Sequence, residues 1–421
     1  MDALIALAQE SGTLQADCTL QPGGRARRDM RPGAGALVGV DSGTSNENRF
    51  ETEGQRIVVL AAPGDRRDED IEDIARIAHD HFDRFIVGAP RTGTLIRILQ
   101  ILFPPDEAKT ALRMPIMYKM TLSEWLAAIP EDHARLPEIL NAMAARGTVQ
   151  TYRQPGREDR YALLPSAKGW FDTPYWSGRE TDDTRLLAPL WLQYREEAFG
   201  EELARGDMPT FRIVPVSRAL KHDPEVLPFE DLRPRIEAQS ISVVSFCPCR
   251  QMKNAVGQGC GHSLEVCFSF GSMARYLADH GMGREVSIKE TLEIAKACEE
   301  EGLAHCVENI DGYLGTLCNC CGCCCLFIDT KKRLGFNALA PSAHLAHVTL
   351  EACTACGECI DRCPMDAIAQ PDHGPLKVDE QQCIGCGLCS AHCPEQAITL
   401  MPRQPANDPP DLGTFLERKL V

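Results

Sequence analysis

The spacing of hydrophobic and polar positions divides the chain into segments of different character. Residues 1–54 show no periodicity and are rich in Gly, Arg, Ala and Ser, which predicts a poorly ordered start. RIVVL reads as a buried strand, IEDIARIAHDHF as a helix with Ile71, Ile74, Ile77 and Ala78 on one face, and RFIV as a second strand; residues 55–90 are thus expected to form a lone βαβ segment. From 91 to 176 four stretches have helical spacing, GTLIRILQILF, PPDEAKTALRM, TLSEWLAAI and RLPEILNAMAARG, and the last ends on Gly147. TVQTYR and RYALL then flank the turn QPGRED as a β-hairpin. Residues 177–240 read as a helical connector with one strand, TFRIVPV, and with Trp191, Tyr194 and Phe199 as core or interface residues. ISVVSF opens a cysteine-rich α/β module over 241–340 that contains the helix KETLEIAKACEEEG, whose Cys298 is expected to be structural. Residues 341–402 hold two copies of strand, loop, short helix and strand, and 403–421 form a tail. The fold class predicted is α+β and multidomain.

The repeated unit carries the strongest chemical signal. CTACGECIDRCP and CIGCGLCSAHCP are two copies of C-x2-C-x2-C-x3-C-P, and the likeness extends outward: CPMDAIAQ answers CPEQAITL, and HVTLEAC answers KVDEQQC. Cysteines two apart on a tight loop can turn their sulfurs to one point, and Gly357, Gly385 and Gly387 permit the backbone such a loop needs. Cys353, Cys356 and Cys359 are expected to bind cluster one with Cys393; Cys383, Cys386 and Cys389 are expected to bind cluster two with Cys363, which lies too far along its own loop to close on it. Zinc also accepts C-x2-C pairs, but the third cysteine and trailing Cys-Pro of both copies favour iron–sulfur. The pair resembles the two-cluster bacterial ferredoxin fold over 347–401, which implies two [4Fe-4S] clusters.

The middle module offers more thiols than one cluster or one zinc requires: Cys247, Cys249, Cys260, Cys267, Cys318, Cys320, Cys321, Cys323, Cys324 and Cys325. Adjacent α-carbons lie about 3.8 Å apart, too close for ordinary disulfides along CNCCGCCC. In an extended chain Cys247 and Cys249 of CPCR would share a side, whereas Cys267 falls near a helix start. If Leu317–Cys325 were helical, Cys318, Cys321 and Cys325 would line one face and Cys320 and Cys324 another. A third iron–sulfur cluster or a zinc ion is expected here. His262, His305, His344 and His347 lie near the cysteine modules as candidate ligands or proton carriers.

Composition adds bounds. The chain has 421 residues, 21 cysteines and a formal net charge of −16. Neither a signal-like start nor a spanning apolar run is evident, so a cytoplasmic protein with reduced thiols is expected. The acidity disfavours nucleic acid and anionic membrane and suits a basic redox partner. The helices and hairpin of 91–176 resemble a winged helix-turn-helix domain, which implies DNA binding, but its cations and anions nearly balance and only Arg153, Arg157 and Arg160 on the hairpin speak for it. Lone Cys18 and the string GVDSGTS carry no chemistry. Haem attachment, dinucleotide and P-loop patterns are missing.

Two wider resemblances complete the reading. The wording of 56–87 is similar to part of the cyanophycin synthetase C-terminal domain, a fragment without a ligase centre. The order of a winged-helix-like front, CPCR with two trailing cysteines, CNCCGCCC and paired ferredoxin repeats, over about 93–400, resembles a family of ferredoxin-type iron–sulfur proteins of anaerobic bacteria. That likeness implies iron–sulfur binding and electron transfer. The function expected is an electron carrier or electron-transfer subunit with no residue acting as acid, base or nucleophile; the alternatives are a redox-sensing transcription regulator and a reductase with a catalytic middle cluster.

Overall fold

RIVVL does form a strand, but its neighbour differs from the expected one. In the computed structural model, which describes residues 47–52, 55–60, 86–129, 134–220, 230–371, 375–405 and 407–419, β1 (Glu47–Thr52) pairs antiparallel with β2 (Gln55–Leu60). The expected first strand thus has a hairpin partner, β1, which lies within the stretch expected to be poorly ordered. The helix expected at 71–82 lies outside the described residues, and Ile86 and Val87 are not in a strand.

The next unit builds helices α1 (Gly93–Leu102), α2 (Pro105–Ala111), α3 (Leu122–Ala128) and α4 (Leu136–Arg146) around a small antiparallel sheet. Its strands β3 (Met120–Thr121), β4 (Val149–Tyr152) and β5 (Arg160–Leu163) take the order β3-β5-β4. Local chemistry sets the helix ends. The Thr92 side chain accepts from the Leu95 amide, Thr121 and Glu124 form a capping box, and Gly147 closes α4 at φ 91°. Helix α5 (Asp182–Tyr194) starts on a second capping box, Thr181 with Thr184, and packs on α1. Trp191, Tyr194 and Phe199 are buried with Trp170 and Phe171 in one aromatic cluster, with centroid separations of 4.7–6.0 Å; such pairs add about 0.5–1.5 kcal/mol beyond their burial.

The middle module is a seven-stranded sheet. Strands β6 (Phe211–Val214), β7 (Ser242–Phe246), β8 (Glu265–Phe270), β9 (Arg284–Val286), β10 (Ala304–Glu308), β11 (Thr316–Cys320) and β12 (Leu339–Ala340) lie in the order β12-β6-β10-β11-β8-β7-β9, antiparallel except for β12 with β6. Strand β6 comes from the expected connector and enters the sheet interior. Alternation assigns the two faces: Val214, Val244, Val307 and Leu317 pack in one core, Ile213, Val243, Cys306 and Cys320 in the other. Helices α6 (Pro248–Ala255), α7 (Gly271–Asp279), α8 (Ile288–Glu301) and α9 (Leu326–Leu334) complete the module.

The last unit pairs β13 (His344–Val348) with β16 (Ile398–Pro402), and β14 (Ile368–Ala369) with β15 (Lys377–Val378), both antiparallel. Short helices α10 (Glu358–Asp361) and α11 (Leu388–His392) follow the cysteine loops, each entered through a left-handed glycine, Gly357 or Gly387. The tail is tied back. Phe415 of α12 (Leu412–Lys419) is buried with Met208 and Ile310, and Lys419 Nζ donates to the Arg205 carbonyl at 2.8 Å. One apolar core runs from Leu95 of the front unit through Ile213 and Cys320 to Met365 and Leu388. Among the described residues no helix is long and apolar enough to cross a membrane.

Candidate metal centres

In the C-terminal unit the eight repeat cysteines surround two separate cavities. Cys353, Cys356, Cys359 and Cys393 line one, walled by Leu376 and Ile398. Cys363, Cys383, Cys386 and Cys389 line the other, walled by Ile368, Met365 and Leu400. The crossing of Cys363 and Cys393 is thus present in the fold. In each copy the third residue after the crossing cysteine is left-handed, Asp366 at φ 53° and Gln396 at φ 51°. That turn aims the next amide back at the sulfur: Ala367 N donates to Cys363 Sγ at 3.2 Å and Ala397 N to Cys393 Sγ at 3.3 Å. Burial pushes the Cys386 thiol up to about 12 and raises Cys359, Cys363 and Cys389 as well. Four thiolates in an apolar cavity need positive charge at its centre, and iron supplies it; the donor set, the walls and the amide donors fit a cubane. The first cavity is the outer one, since Cys356 is exposed, whereas Cys386 and Cys389 are buried.

The CNCCGCCC run is not helical. Leu317 to Cys320 belong to β11, a turn occupies 322–324, and Cys325 caps α9. The helical grouping of its sulfurs is therefore replaced by a strand grouping: Cys318 and Cys320 share one sheet face by the two-residue period, and Cys321, Cys323 and Cys324 lie on the turn. Cys267 sits within β8, not at a helix start, and Cys247 caps α6 with Cys249 in its first turn, so CPCR is a strand-to-helix junction and not an extended pair.

Two thiol groups result. In the first, the sulfurs of Cys260, Cys321, Cys323 and Cys324 all lie within 4.8 Å of one another, with Cys260 to Cys324 at 3.6 Å and Cys260 to Cys321 at 3.9 Å. A hydrogen bond from Cys324 and the charge of Arg250 draw the Cys321 thiol down, and Cys324 is pushed up in turn. The second group, Cys247, Cys249, Cys267, Cys318, Cys320 and Cys325, lines a chamber that Cys321 of the first group also borders. Cys267 and Cys318 are 3.8 Å apart, and Leu326 N donates to Cys249 Sγ at 3.4 Å. All these cysteines are free thiols. Cys298 is buried in an apolar cluster, and Cys306 lies opposite Cys318 in the sheet.

Sequence reasoning missed the cations of this module. Lys168 Nζ donates to Cys318 Sγ at 3.1 Å, and Arg250 is fully buried, donating to the Ser263 and Asn319 carbonyls at 2.6 and 2.7 Å. Arg250 stood within CPCR and was the readable one; nothing in PSAKGW points to Lys168. The histidines pair with protein groups: His262 with Glu301, His305 with Asn319 and Glu299, and His344 with Glu230, while His347 is exposed.

The middle and C-terminal units meet at the cysteines. Val216 N donates to the Cys386 carbonyl at 2.9 Å, and Lys332 pairs with Asp366. Gly322, inside CNCCGCCC, sits so close to Pro364 that a Cβ would lie 2.2 Å from the Pro364 carbonyl oxygen. Elsewhere one hairpin arginine is engaged: Arg153 pairs with Asp159 and Asp279, while Arg157 is exposed, and β4 is buried against α7 through Gln150–Ser272 and Thr151–His280 contacts.

With this geometry in place, the class of the C-terminal unit is clear: residues 342–398 match the family model of a 4Fe-4S dicluster domain, and such a domain carries two [4Fe-4S] clusters. A probable ferredoxin of Methanosarcina thermophila is 46% identical over 38 residues, which cover 9% of this chain and 66% of that protein, just under two thirds of its length.

Proposed function

We propose that the protein is an iron–sulfur electron-transfer protein in which electrons enter through the outer cluster, pass to the inner one and continue to the middle module. Cys353, Cys356, Cys359 and Cys393 would hold the outer cluster, and Cys363, Cys383, Cys386 and Cys389 the inner one. The clusters supply one-electron chemistry; the chain sets their potential through the Ala367 and Ala397 amides and through burial. The observation that carries the reading is the Gly322–Pro364 approach, which sets the turn bearing Cys321, Cys323 and Cys324 directly on the residue after Cys363. On this reading Cys260, Cys321, Cys323 and Cys324 hold a third iron–sulfur centre, with zinc as the alternative. A basic, soluble redox partner in the cytoplasm of an anaerobic cell fits the acidic chain.

The test is anaerobic redox titration of the full chain followed by electron paramagnetic resonance. Two interacting reduced [4Fe-4S] signals are expected, plus a third centre that fills before them or together with them, as a downstream acceptor must. A colourless, iron-free protein would end the reading. A DNA-binding regulator draws less support, because the hairpin strand packs inward and Arg153 is ion-paired; cluster-dependent retention of promoter DNA in a gel shift would reverse that order.

A further inference from the structure

Beyond the four-thiol group, the middle module holds a second collection of sulfur that the electron-transfer reading does not use. Cys247, Cys249, Cys267, Cys318, Cys320 and Cys325 all line one chamber, in which the sulfurs of Cys267 and Cys318 lie 3.8 Å apart. They come from a strand-to-helix junction, from the neighbouring strands β8 and β11, and from the start of α9, four separate places aimed at one chamber. The Cys267–Cys318 separation of 3.8 Å is nearly twice a disulfide's length of about 2.05 Å, and all six cysteines are free, so disulfides do not account for the grouping. Six thiols packed as plain hydrophobes would be an odd filling for a chamber whose wall also carries the charged side chains of Lys168, Asp172 and Arg250.

That lysine comes from a different part of the chain. Lys168 belongs to the front unit and has left-handed backbone, φ 56° and ψ 35°, a conformation that costs a non-glycine residue and persists where its surroundings impose it. Ala167 and Gly169 beside it are non-helical too, and together they deliver the ammonium group across 150 residues of sequence to Cys318 Sγ at 3.1 Å. Phe171 and Asp172 follow it into the chamber wall. The front unit therefore completes a site in the middle module.

We propose that Cys247, Cys249, Cys267, Cys318, Cys320 and Cys325 form a second metal centre of the middle module, adjoining the four-thiol group at Cys321, that holds an iron–sulfur cluster with Lys168 as its charge partner. Thiolates bind iron and sulfide where they converge, and six of them exceed the four that a cubane uses. A reduced cluster carries one more negative charge than the oxidised one, so the Lys168 cation stabilises the reduced state and raises the potential.

The experiment uses the full chain, produced without oxygen, with iron, zinc and sulfide counted per chain. C267A/C318A should lose about four irons or more with matching sulfide, while C260A/C323A keeps that iron and loses a different set. K168M should lower the reduction equilibrium of one centre about tenfold, ~59 mV for one electron, and leave the other centres in place; K168R should keep the original value. The proposal fails if C267A/C318A binds as much iron as the parent, if the chamber holds zinc without sulfide, or if K168M moves no potential. Should C267A/C318A not fold, the K168M and K168R titrations decide alone. Iron lost only from C363A or C353A bears on the ferredoxin clusters, so failure of that reading is distinguishable from failure of this one.

Discussion

Replacing Gly322 with alanine tests the junction between the cysteine run and the ferredoxin unit. The added Cβ would stand 2.2 Å from the Pro364 carbonyl oxygen and 2.8 Å from its carbonyl carbon and Cα. Ordinary carbon–oxygen contact needs about 3.3 Å, so the turn must retreat by roughly 1 Å. Its neighbours hold it: Cys321 and Cys324 are buried, and Pro364 is fixed backbone. Forcing a methyl into such packing costs about 1–3 kcal/mol, which lowers the melting temperature by ~2–4 °C per kcal/mol in a domain of 150–250 residues. The assay is anaerobic thermal unfolding followed by loss of visible cluster absorbance. Gly93→Ala is the matched control, since nothing lies within 4 Å of its Cβ position and it begins a helix, so it should be neutral or mildly stabilising. The retreat should also slow electron passage between inner cluster and middle module after flash reduction. A G322A protein that melts with the parent would refute the close approach.

Three further outcomes follow from particular contacts. Arg195 and Asp329 form a buried ion pair at the base of α9, reinforced by Arg333 on Asp329 at 2.8 Å, so D329A should cost about 3–5 kcal/mol in anaerobic urea unfolding. Cys363→Ala should remove about four irons from the inner site and spare the outer one, although Cys363 is nearer in sequence to Cys353–Cys359; iron counting with paramagnetic resonance would show which signal is lost. Glu299 is buried, which alone would raise its carboxyl, but His305 and the Ser217 amide bond it and hold it below the usual range. Its stabilising contribution is therefore present above about pH 4.3 and lost as pH falls through the lower native value. The stability gap between the parent and E299Q, measured by urea unfolding from pH 6 downward, should narrow below pH 4.3, and a gap independent of pH would contradict this assignment.

How much could be read in advance depended on whether the chemistry was local. The ferredoxin cysteines were legible because their spacing is the bacterial ferredoxin pattern, and that pattern, together with the reach of each loop, implied the crossing of Cys363 and Cys393. The CNCCGCCC grouping was misjudged because a cysteine-dense run has no hydrophobic period of its own; pairing of β11 with β10 and β8 made it a strand. Strand β6 looked like part of a connector because its partners, β10 and β12, are about 90 or more residues away. Lys168 was invisible for a sharper reason. Its role depends on a left-handed kink and on a contact 150 residues distant, neither of which leaves a mark in PSAKGW.

The same contact changes what the front unit is for. A domain used only to read DNA would keep its hairpin free, yet β4 lies buried against α7, the Tyr276 hydroxyl donates to the Ala144 carbonyl at 2.7 Å, and the chain beyond the hairpin runs directly to Lys168. Hairpin, kink and lysine are consecutive, so displacing the hairpin from α7 would withdraw positive charge from the thiol chamber. Y276F, which deletes one buried hydrogen bond from α7 to α4 just before the hairpin, worth about 1 kcal/mol, loosens the front unit on α7 without touching a cysteine. Under the proposed chamber, Y276F should move the same potential that K168M moves, in the same direction and by a smaller amount, in an anaerobic redox titration. A shift confined to K168M would mean that the front unit supplies the lysine but that its packing on α7 does not govern the charge.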